Sequence, residues 1–359
     1  MRLALQLAEK GRGKTSPNPL VGAVVVKNGR VIGQGYHRKA GLAHAEIVAL
    51  EKAGAAARGA QLYVTLEPCC HFGRTGPCAP KIVAAGIKEV IYAMGDPNPL
   101  NNGRGGQFLR RHKIKARSGL LAKEARQMNE VFIKYITKRI PYVTVKIAQS
   151  IDGKIATKSG HSRWISGRAA RRLGQRLRRE VDAILIGANT ALIDNPLLTS
   201  RLGGRLTSRQ PIKVIVDGRL KLKANLKIFS RLSPAPVIIA ATKLAPRNKI
   251  AQFQGRGARV IVARGQGEKV DLGDLLKKLA AREISHILIE GGGEIIASAL
   301  RKRLVDRMII VVAPKIIGGR NAPTSVGGEG INRLSQAIKL SELKVSRLGR
   351  DIIIEGRPR

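Results

Sequence analysis

The stretch from Glu67 to Cys78, EPCCHFGRTGPC, holds all three cysteines of a 359-residue chain. Clustered thiols can bind a metal, form a redox pair, act as nucleophiles or pack as small apolar side chains. Upstream, His44-Ala45-Glu46 lies in a helix-patterned segment, and Pro68 stops a β-rich run so that Cys69 stands at its C-terminal end. One imidazole and two thiolates hold zinc with its fourth position open, the arrangement of a catalytic centre. Zinc so held lowers the pKa of bound water to about 7, and a carboxylate that does not ligate it can carry the proton. His44, Cys69 and Cys78 are therefore the expected ligands, with Glu46 as the acid and base. Cys70 could take the place of Cys69, but neighbours in an extended chain face opposite ways. Cys69 is the expected ligand, and Cys70 is expected to pack or to lie half exposed.

An H-x-E triplet followed by P-C-x-x-C marks zinc deaminases, in which attack on an amidine-like ring carbon releases ammonia. Here the second thiolate is displaced to Cys78, nine residues after Cys69.

These groups need a scaffold, and the pattern around them supplies one. LVGAVVVKNGRVIGQGYH is a hairpin signal around Asn28-Gly29, AHAEIVALEKAGAAARG has helical periodicity, and AQLYVTLEP is a short buried strand. CAPKIVAAGI predicts a helix opened near Pro80, EVIYAMGDPNP a strand running into a turn, and LAKEARQMNEVFIKYITK a helix closing the first half. A boundary near Arg139 to Pro141 gives domains 1–139 and 140–359. Beyond it, near-continuous runs such as DAILIGA, IKVIVDG, APVIIAA and SHILIE predict a mainly parallel sheet covered on both faces. The strand ending in EGGGE and followed by a helical pattern would let backbone N–H groups approach phosphate oxygens. It is not a G-x-G-x-x-G in a first βαβ unit, so an ordinary Rossmann reading is poorly supported.

Composition narrows the class. The chain is long enough for two cores, an odd cysteine count argues against a disulfide scaffold, and no apolar run approaches a membrane span. A cytoplasmic protein is expected. The formal charge of +42, from 66 Lys and Arg against 24 Asp and Glu, raises the expectation of anionic ligands. The basic residues are spread through both halves, and aromatics for base stacking are only 3%. Small phosphorylated ligands are thus expected before nucleic acid, although the full excess of charge has no functional account.

TSPNPLVGAVVV, HAE, TLEPCCHFGRTGPC and DPNP together resemble the N-terminal domain of the bifunctional riboflavin-biosynthesis deaminase-reductases. Ala43 stands where that family usually has Pro, and Gly76 where Pro is common, which loosens the loop without touching the ligands. The resemblance implies a cytidine-deaminase-like three-layer domain acting on 2,5-diamino-6-(5-phosphoribosylamino)pyrimidin-4-one. It also implies that Asn18, His71 and Arg74 contact the substrate, the guanidinium being apt for phosphate.

In the second half, VTVKIAQSIDGKIA, SRWIS, LIGANTALIDNPLLTSR and LIEGGGEIIASAL resemble the reductase domain of the same family, and the match extends over about residues 1 to 320. The resemblance implies a dihydrofolate-reductase-like α/β fold, NADPH as hydride donor, and reduction of the ribosyl group to ribityl. Carried over by position, Ala148, Trp164, Thr190 and Asp194 line the cofactor site, and Gly292, Gly293, Glu294 and Ser298 hold its phosphates. Ser162, Arg178, Leu198, Arg201 and Glu290 are the implied substrate contacts. Lys146, Asp152 and Lys154 flank one strand end and could position or protonate the sugar, with Lys146 preferred. Family enzymes commonly self-associate, so a homo-oligomer, a dimer through the second domain, is expected. Two rivals stay open: a zinc deaminase acting on RNA, which leaves the second half unexplained, and a basic RNA- or ribosome-associated protein that retains the deaminase fold without turnover.

Overall fold

Asn28 and Gly29, at φ 48° and 74°, make the tight turn that an Asn-Gly pair favours. In the computed structural model, which describes residues 1–230 and 234–359, the chain divides into two compact units, Met1–Ile140 and Pro141–Arg359.

The first unit begins with α1 (Arg2–Glu9) and the hairpin β1 (Gly22–Lys27) and β2 (Arg30–Tyr36). There follow α2 (Ala45–Ala53), β3 (Gln61–Leu66), α3 (Cys78–Ala84), β4 (Glu89–Met94), α4 (Arg104–Arg111) and β5 (Lys115–Ser118). The sheet order is β2-β1-β3-β4-β5, antiparallel around β1 and parallel from β3 to β5. Successive β1 side chains separate the layers: Val24 packs with Ala4 and Leu7 of α1, whereas Ala23 and Val25 join Leu62, Val64, Ala49 and Ile82. Helix α2 lies so close to the hairpin that a Cβ on Gly33 would fall 2.2 Å from the Ala49 carbonyl oxygen. Glycine is thus what lets the helix bearing Glu46 settle onto the sheet.

Two local expectations shift. The helix expected near Pro80 starts at Cys78, capped by Pro77, so Cys78 sits in its first turn. Pro80 is tolerated there because first-turn N–H groups have no partner within the helix. The helix expected over 121–138 is two helices, α5 (Ala122–Met128) and α6 (Glu130–Lys138). Asn129 breaks it, because its buried amide takes the Leu20 N–H at 2.7 Å and donates to the Leu20 carbonyl at 3.0 Å. That long-range tie outweighs helix continuity.

The second unit opens with β6 (Tyr142–Ser150), α7 (Arg168–Glu180), β7 (Ala183–Gly187) and α8 (Ala188–Asp194). A small hairpin, β8 (Arg201–Leu202) and β9 (Arg205–Leu206), precedes β10 (Ile212–Val216), β11 (Val237–Ala241), α9 (Arg247–Gly255) and β12 (Arg259–Val262). A second hairpin, β13 (Gly265–Gln266) and β14 (Lys269–Val270), leads to α10 (Leu272–Ala280), β15 (His286–Glu290), α11 (Gly293–Arg301) and β16 (Arg307–Ala313). The chain ends in β17 (Leu340–Leu348) and β18 (Asp351–Pro358). The nine-stranded order is β12-β11-β10-β7-β15-β6-β16-β18-β17, parallel from β12 to β16. Only β18 and β17 run antiparallel, as a ribbon at one edge.

Alternate residues of the parallel strands feed two cores. Val145, Leu185 and Ile289 pack with Leu275 and Leu279 of α10, whereas Ile184, Ile186 and Leu288 pack with Leu173 and Leu177 of α7. Strands buried on both faces read in sequence as continuous apolar runs, as these do. Lys146 interrupts that pattern in the middle of the sheet, beside the end of β15.

Candidate active sites

His44 is the N-cap of α2 in an extended conformation, Cys69 lies just beyond β3, and Cys78 starts α3. One potential ligand atom from each lies within 4.8 Å of the other two. His44 Nδ1 is 3.0 Å from Cys78 Sγ and 3.5 Å from Cys69 Sγ, so this nitrogen faces the thiols. The Cys78 N–H also points at Cys69 Sγ at 3.3 Å, and the thiol pair shares a proton that holds Cys69 well below the usual thiol range. Three soft or borderline donors converging without a fourth protein ligand among the described residues fit zinc with an open position. On the far side of the imidazole, Nε2 lies 3.0 Å from the hydroxyl of Thr75.

Glu46 lies in the first turn of α2 and is only 4% exposed. Burial, and after it the charge of the Cys69 thiolate, pushes its carboxyl up to about 7. It is therefore poised to take and return a proton at neutral pH.

The remaining first-unit residues take distinct places. Asn18 reaches His37, with Nδ2 3.1 Å from Nε2, while His37 Nδ1 lies 3.2 Å from the Ala43 carbonyl oxygen. His37 is buried and stands edge-on to His44 at 5.4 Å. The sequence reading missed it, as its HxxxxxxH separation from His44 matches no ligand spacing. His71 keeps a buried Nδ1 without a hydrogen-bond partner among the described residues, and Arg74 is exposed on the loop. Cys70 turns away from the thiol pair: its N–H and Sγ approach Asn101 Oδ1 at 3.0 and 3.2 Å.

Asn101 belongs to a buried polar frame the sequence did not disclose. Its amide donates to the Pro68 carbonyl and to Asp96 Oδ2, while Glu67 accepts the N–H groups of Asp96, Gly103 and Gly106. A Cβ on Gly105 would fall 1.9 Å from the Pro68 carbonyl oxygen, so the chain packs directly on the segment that carries Cys69. The signals were present in EPCC and DPNP, but not the pairing between them.

In the second unit a cavity of about 1170 Å³ opens at the C-terminal ends of the parallel strands. Lys146 of β6 is in register with Glu290 of β15, and both line it. Burial pulls the Lys146 ammonium below its ordinary pKa; Glu290 opposes that pull and Arg178 adds to it. Gly291 and Gly292, at φ 83° and 81°, turn the chain from β15 into α11. A Cβ on Gly292 would meet the Thr190 hydroxyl at 3.2 Å. This turn brings backbone to the cavity wall beside Gly293, Glu294 and Ser298, which line it too.

Ala148, Thr190 and Leu198 also line the cavity, as do Ser162 and Asp194, which are bonded to each other at 3.0 Å. Trp164 is 63% exposed at the cavity edge, with the Arg171 guanidinium 4.6 Å from its ring centre, so it is no core residue. Arg178 turns its fork onto Glu290 and its remaining nitrogen onto the Thr199 carbonyl. Arg201 is held by Thr199 and Gly204 and is not part of the cavity wall.

Asp152 and Lys154 do not join Lys146 there. Asp152 accepts the Ser150 hydroxyl and the N–H groups of Ile317 and Gly318, bonds that hold its carboxyl down to about 2. Lys154 donates to the Ala322 carbonyl. Both fasten a loop, and a carboxylate so acidic carries no proton to donate near neutrality.

Comparison with known proteins agrees with both halves. Residues 1–94 match the cytidine and deoxycytidylate deaminase zinc-binding region, and residues 141–354 match the RibD C-terminal domain. The chain belongs to the RibD family. It is 44% identical over 354 residues to the riboflavin biosynthesis protein RibD of Aquifex aeolicus, covering 99% of this chain and 96% of that one. The Escherichia coli RibD is 36% identical, with 99% and 97% covered. The solved structure of Acinetobacter baumannii RibD superposes with a TM-score of 0.90 at 36% identity, covering 100% of this chain and 97% of that one. A Thermotoga maritima diaminohydroxyphosphoribosylaminopyrimidine deaminase/5-amino-6-(5-phosphoribosylamino)uracil reductase gives 0.85 at 34%, with the same coverage. RibD proteins are bifunctional, and this chain carries both the deaminase domain, a hydrolase, and the reductase domain, an oxidoreductase. No helix among the described residues is long and apolar enough to cross a membrane.

Proposed function

We propose that the chain deaminates 2,5-diamino-6-(5-phosphoribosylamino)pyrimidin-4-one in its first unit and reduces the ribosyl group of the resulting uracil in its second. The observation that carries this reading is the convergence of His44, Cys69 and Cys78 beside buried Glu46, in a chain whose other unit has a strand-end cavity holding Lys146 and Glu290. Zinc, held by His44 Nδ1, Cys69 Sγ and Cys78 Sγ, supplies the Lewis acidity that makes water a nucleophile at neutral pH. Glu46 carries one proton of the water to the ring nitrogen and then the second to the departing amine. Asn18, steadied by His37, faces the ring, while His71 and Arg74 reach the ring and the phosphate.

In the second unit NADPH supplies a hydride for the carbonyl of the opened sugar. The Gly291–Gly293 turn and Ser298 hold its phosphates, and Ala148, Trp164, Thr190 and Asp194 line its bed. Ser162 and Leu198 bound the substrate, and Arg201 serves it from outside the cavity wall. Lys146 Nζ gives the proton to the new alkoxide, with Glu290 oriented by Arg178. The same reading makes the protein a cytoplasmic homodimer joined through the second unit.

Purified protein given zinc, NADPH and the diaminopyrimidine ribotide is expected to release ammonia and then oxidise NADPH. If neither occurs while RNA binds at physiological salt, the reading fails in favour of an RNA-associated protein.

A further inference from the structure

We propose that Thr75 is a positioning residue for the metal site, acting through His44. The inference rests on reading His44, Cys69 and Cys78 as zinc ligands. A neutral imidazole carries one N–H, and only the nitrogen without it can bind a metal. The geometry makes Nδ1 that nitrogen, because it faces both thiols, at 3.0 and 3.5 Å. The proton then sits on Nε2, and the Thr75 hydroxyl 3.0 Å away is its acceptor. The hydroxyl could instead donate to Nε2, but that would place the N–H on Nδ1 and turn it toward the thiols, where it cannot ligate. Metal-bound histidines are generally fixed by such a bond at the other nitrogen.

The position of Thr75 in the chain explains how the bond forms. It lies inside the interval between Cys69 and Cys78, so one segment carries both ligand thiols and the orienting hydroxyl. The ends of that segment are already joined, through the Ala79 N–H to the Cys69 carbonyl at 3.0 Å. Within it, the chain bends over residues 73–75, the Gly73 N–H reaching the Thr75 carbonyl at 3.2 Å, and the half-buried Thr75 side chain meets the His44 ring. A two-residue interval between the cysteines leaves no residue free to pass round the ring to its far nitrogen; an eight-residue interval does. His37, edge-on to the same imidazole, steadies its plane but offers Nε2 of His44 no hydrogen bond. Thr75 is therefore the group that sets the tautomer, and the longer loop has an intramolecular role beside any contact with substrate.

The test compares Thr75→Val, Thr75→Ala and Thr75→Ser in the full chain, with zinc affinity measured by competition against a chromophoric chelator and folding checked by circular dichroism. Valine and alanine should weaken zinc binding by about 10- to 100-fold, and serine should stay within threefold of the parent. Parent-like zinc affinity in Thr75→Val overturns the proposal. So does a serine variant as weak as valine, since the methyl group and not the hydroxyl would then matter. If valine does not fold, the alanine-to-serine difference decides by the same criterion. A parent protein that binds no zinc overturns the metal site itself, a failure distinct from unchanged binding in the variants.

Discussion

Glu290 receives two hydrogen bonds from Arg178 on a single oxygen, from Nε at 2.9 Å and Nη2 at 2.6 Å. The pair is largely buried at the end of β15, and Glu290 faces Lys146 across the sheet register. Arg178 is therefore committed to a carboxylate, and its third nitrogen to the Thr199 carbonyl. Arg178→Lys is expected to lower kcat for NADPH oxidation at least tenfold while leaving the KM of the phosphorylated substrate within threefold, since a lysine cannot reproduce the fork. A large rise in KM at unchanged kcat would instead make Arg178 a phosphate clamp. Glu290→Gln should slow reduction by a hundredfold or more and leave ammonia release intact.

The first unit gives the converse separation. Glu46 faces Cys78 but is not one of the converging ligand groups, so Glu46→Gln should keep zinc while ammonia release falls at least a hundredfold. Metal analysis of the purified variant checks both halves of this statement. Loss of zinc together with activity would make Glu46 part of the ligand set.

Asp152 and Lys146 separate structure from chemistry on one strand end. Because three donors bind the Asp152 carboxylate, Asp152→Asn should lower the melting temperature yet leave reduction within a few-fold of the parent. Lys146→Met should do the reverse, removing the ammonium beside Glu290 and slowing NADPH oxidation by a hundredfold or more with little loss of stability. A reductase disabled by Asp152→Asn and indifferent to Lys146→Met would exchange their roles.

These contrasts mark what the sequence discloses. The helix carrying Glu46 and the strand delivering Cys69 were legible because periodicity and a terminal proline are local signals. The parallel sheet was legible because strands covered on both faces leave uninterrupted apolar runs. The Asn129 break was not, since its cause is Leu20, far away in the chain. Nor was the frame of Glu67, Asp96 and Asn101, whose bonds are mostly to backbone groups that no side-chain pattern records. The ribbon of β17 and β18 escaped for another reason: β17 exposes Leu343 and Val345 among the charged residues Glu342, Lys344 and Arg347, so neither face announces a core.

That concealed frame gives the first unit a pH dependence. Asp96 is 5% exposed, and burial foremost, with the nearby Glu67 charge, raises its carboxyl from 3.8 to about 6. Hydrogen bonds from Asn98 and Asn101, and the facing His71, oppose the rise without cancelling it. The folded protein thus holds this proton more tightly than the unfolded chain, so the contribution is greatest below about pH 4 and is lost as pH climbs toward 6. A change from 3.8 to about 6 corresponds to roughly 3 kcal/mol. Asp96→Asn keeps an oxygen for the Asn101 amide and removes the charge. In zinc-free protein, denaturant unfolding of the first unit should therefore show the variant gaining stability relative to the parent as pH rises from about 4 to about 6, and no further above that. A pH-independent difference would mean that Asp96 is ionised in the folded state across that range, with its hydrogen bonds outweighing its burial.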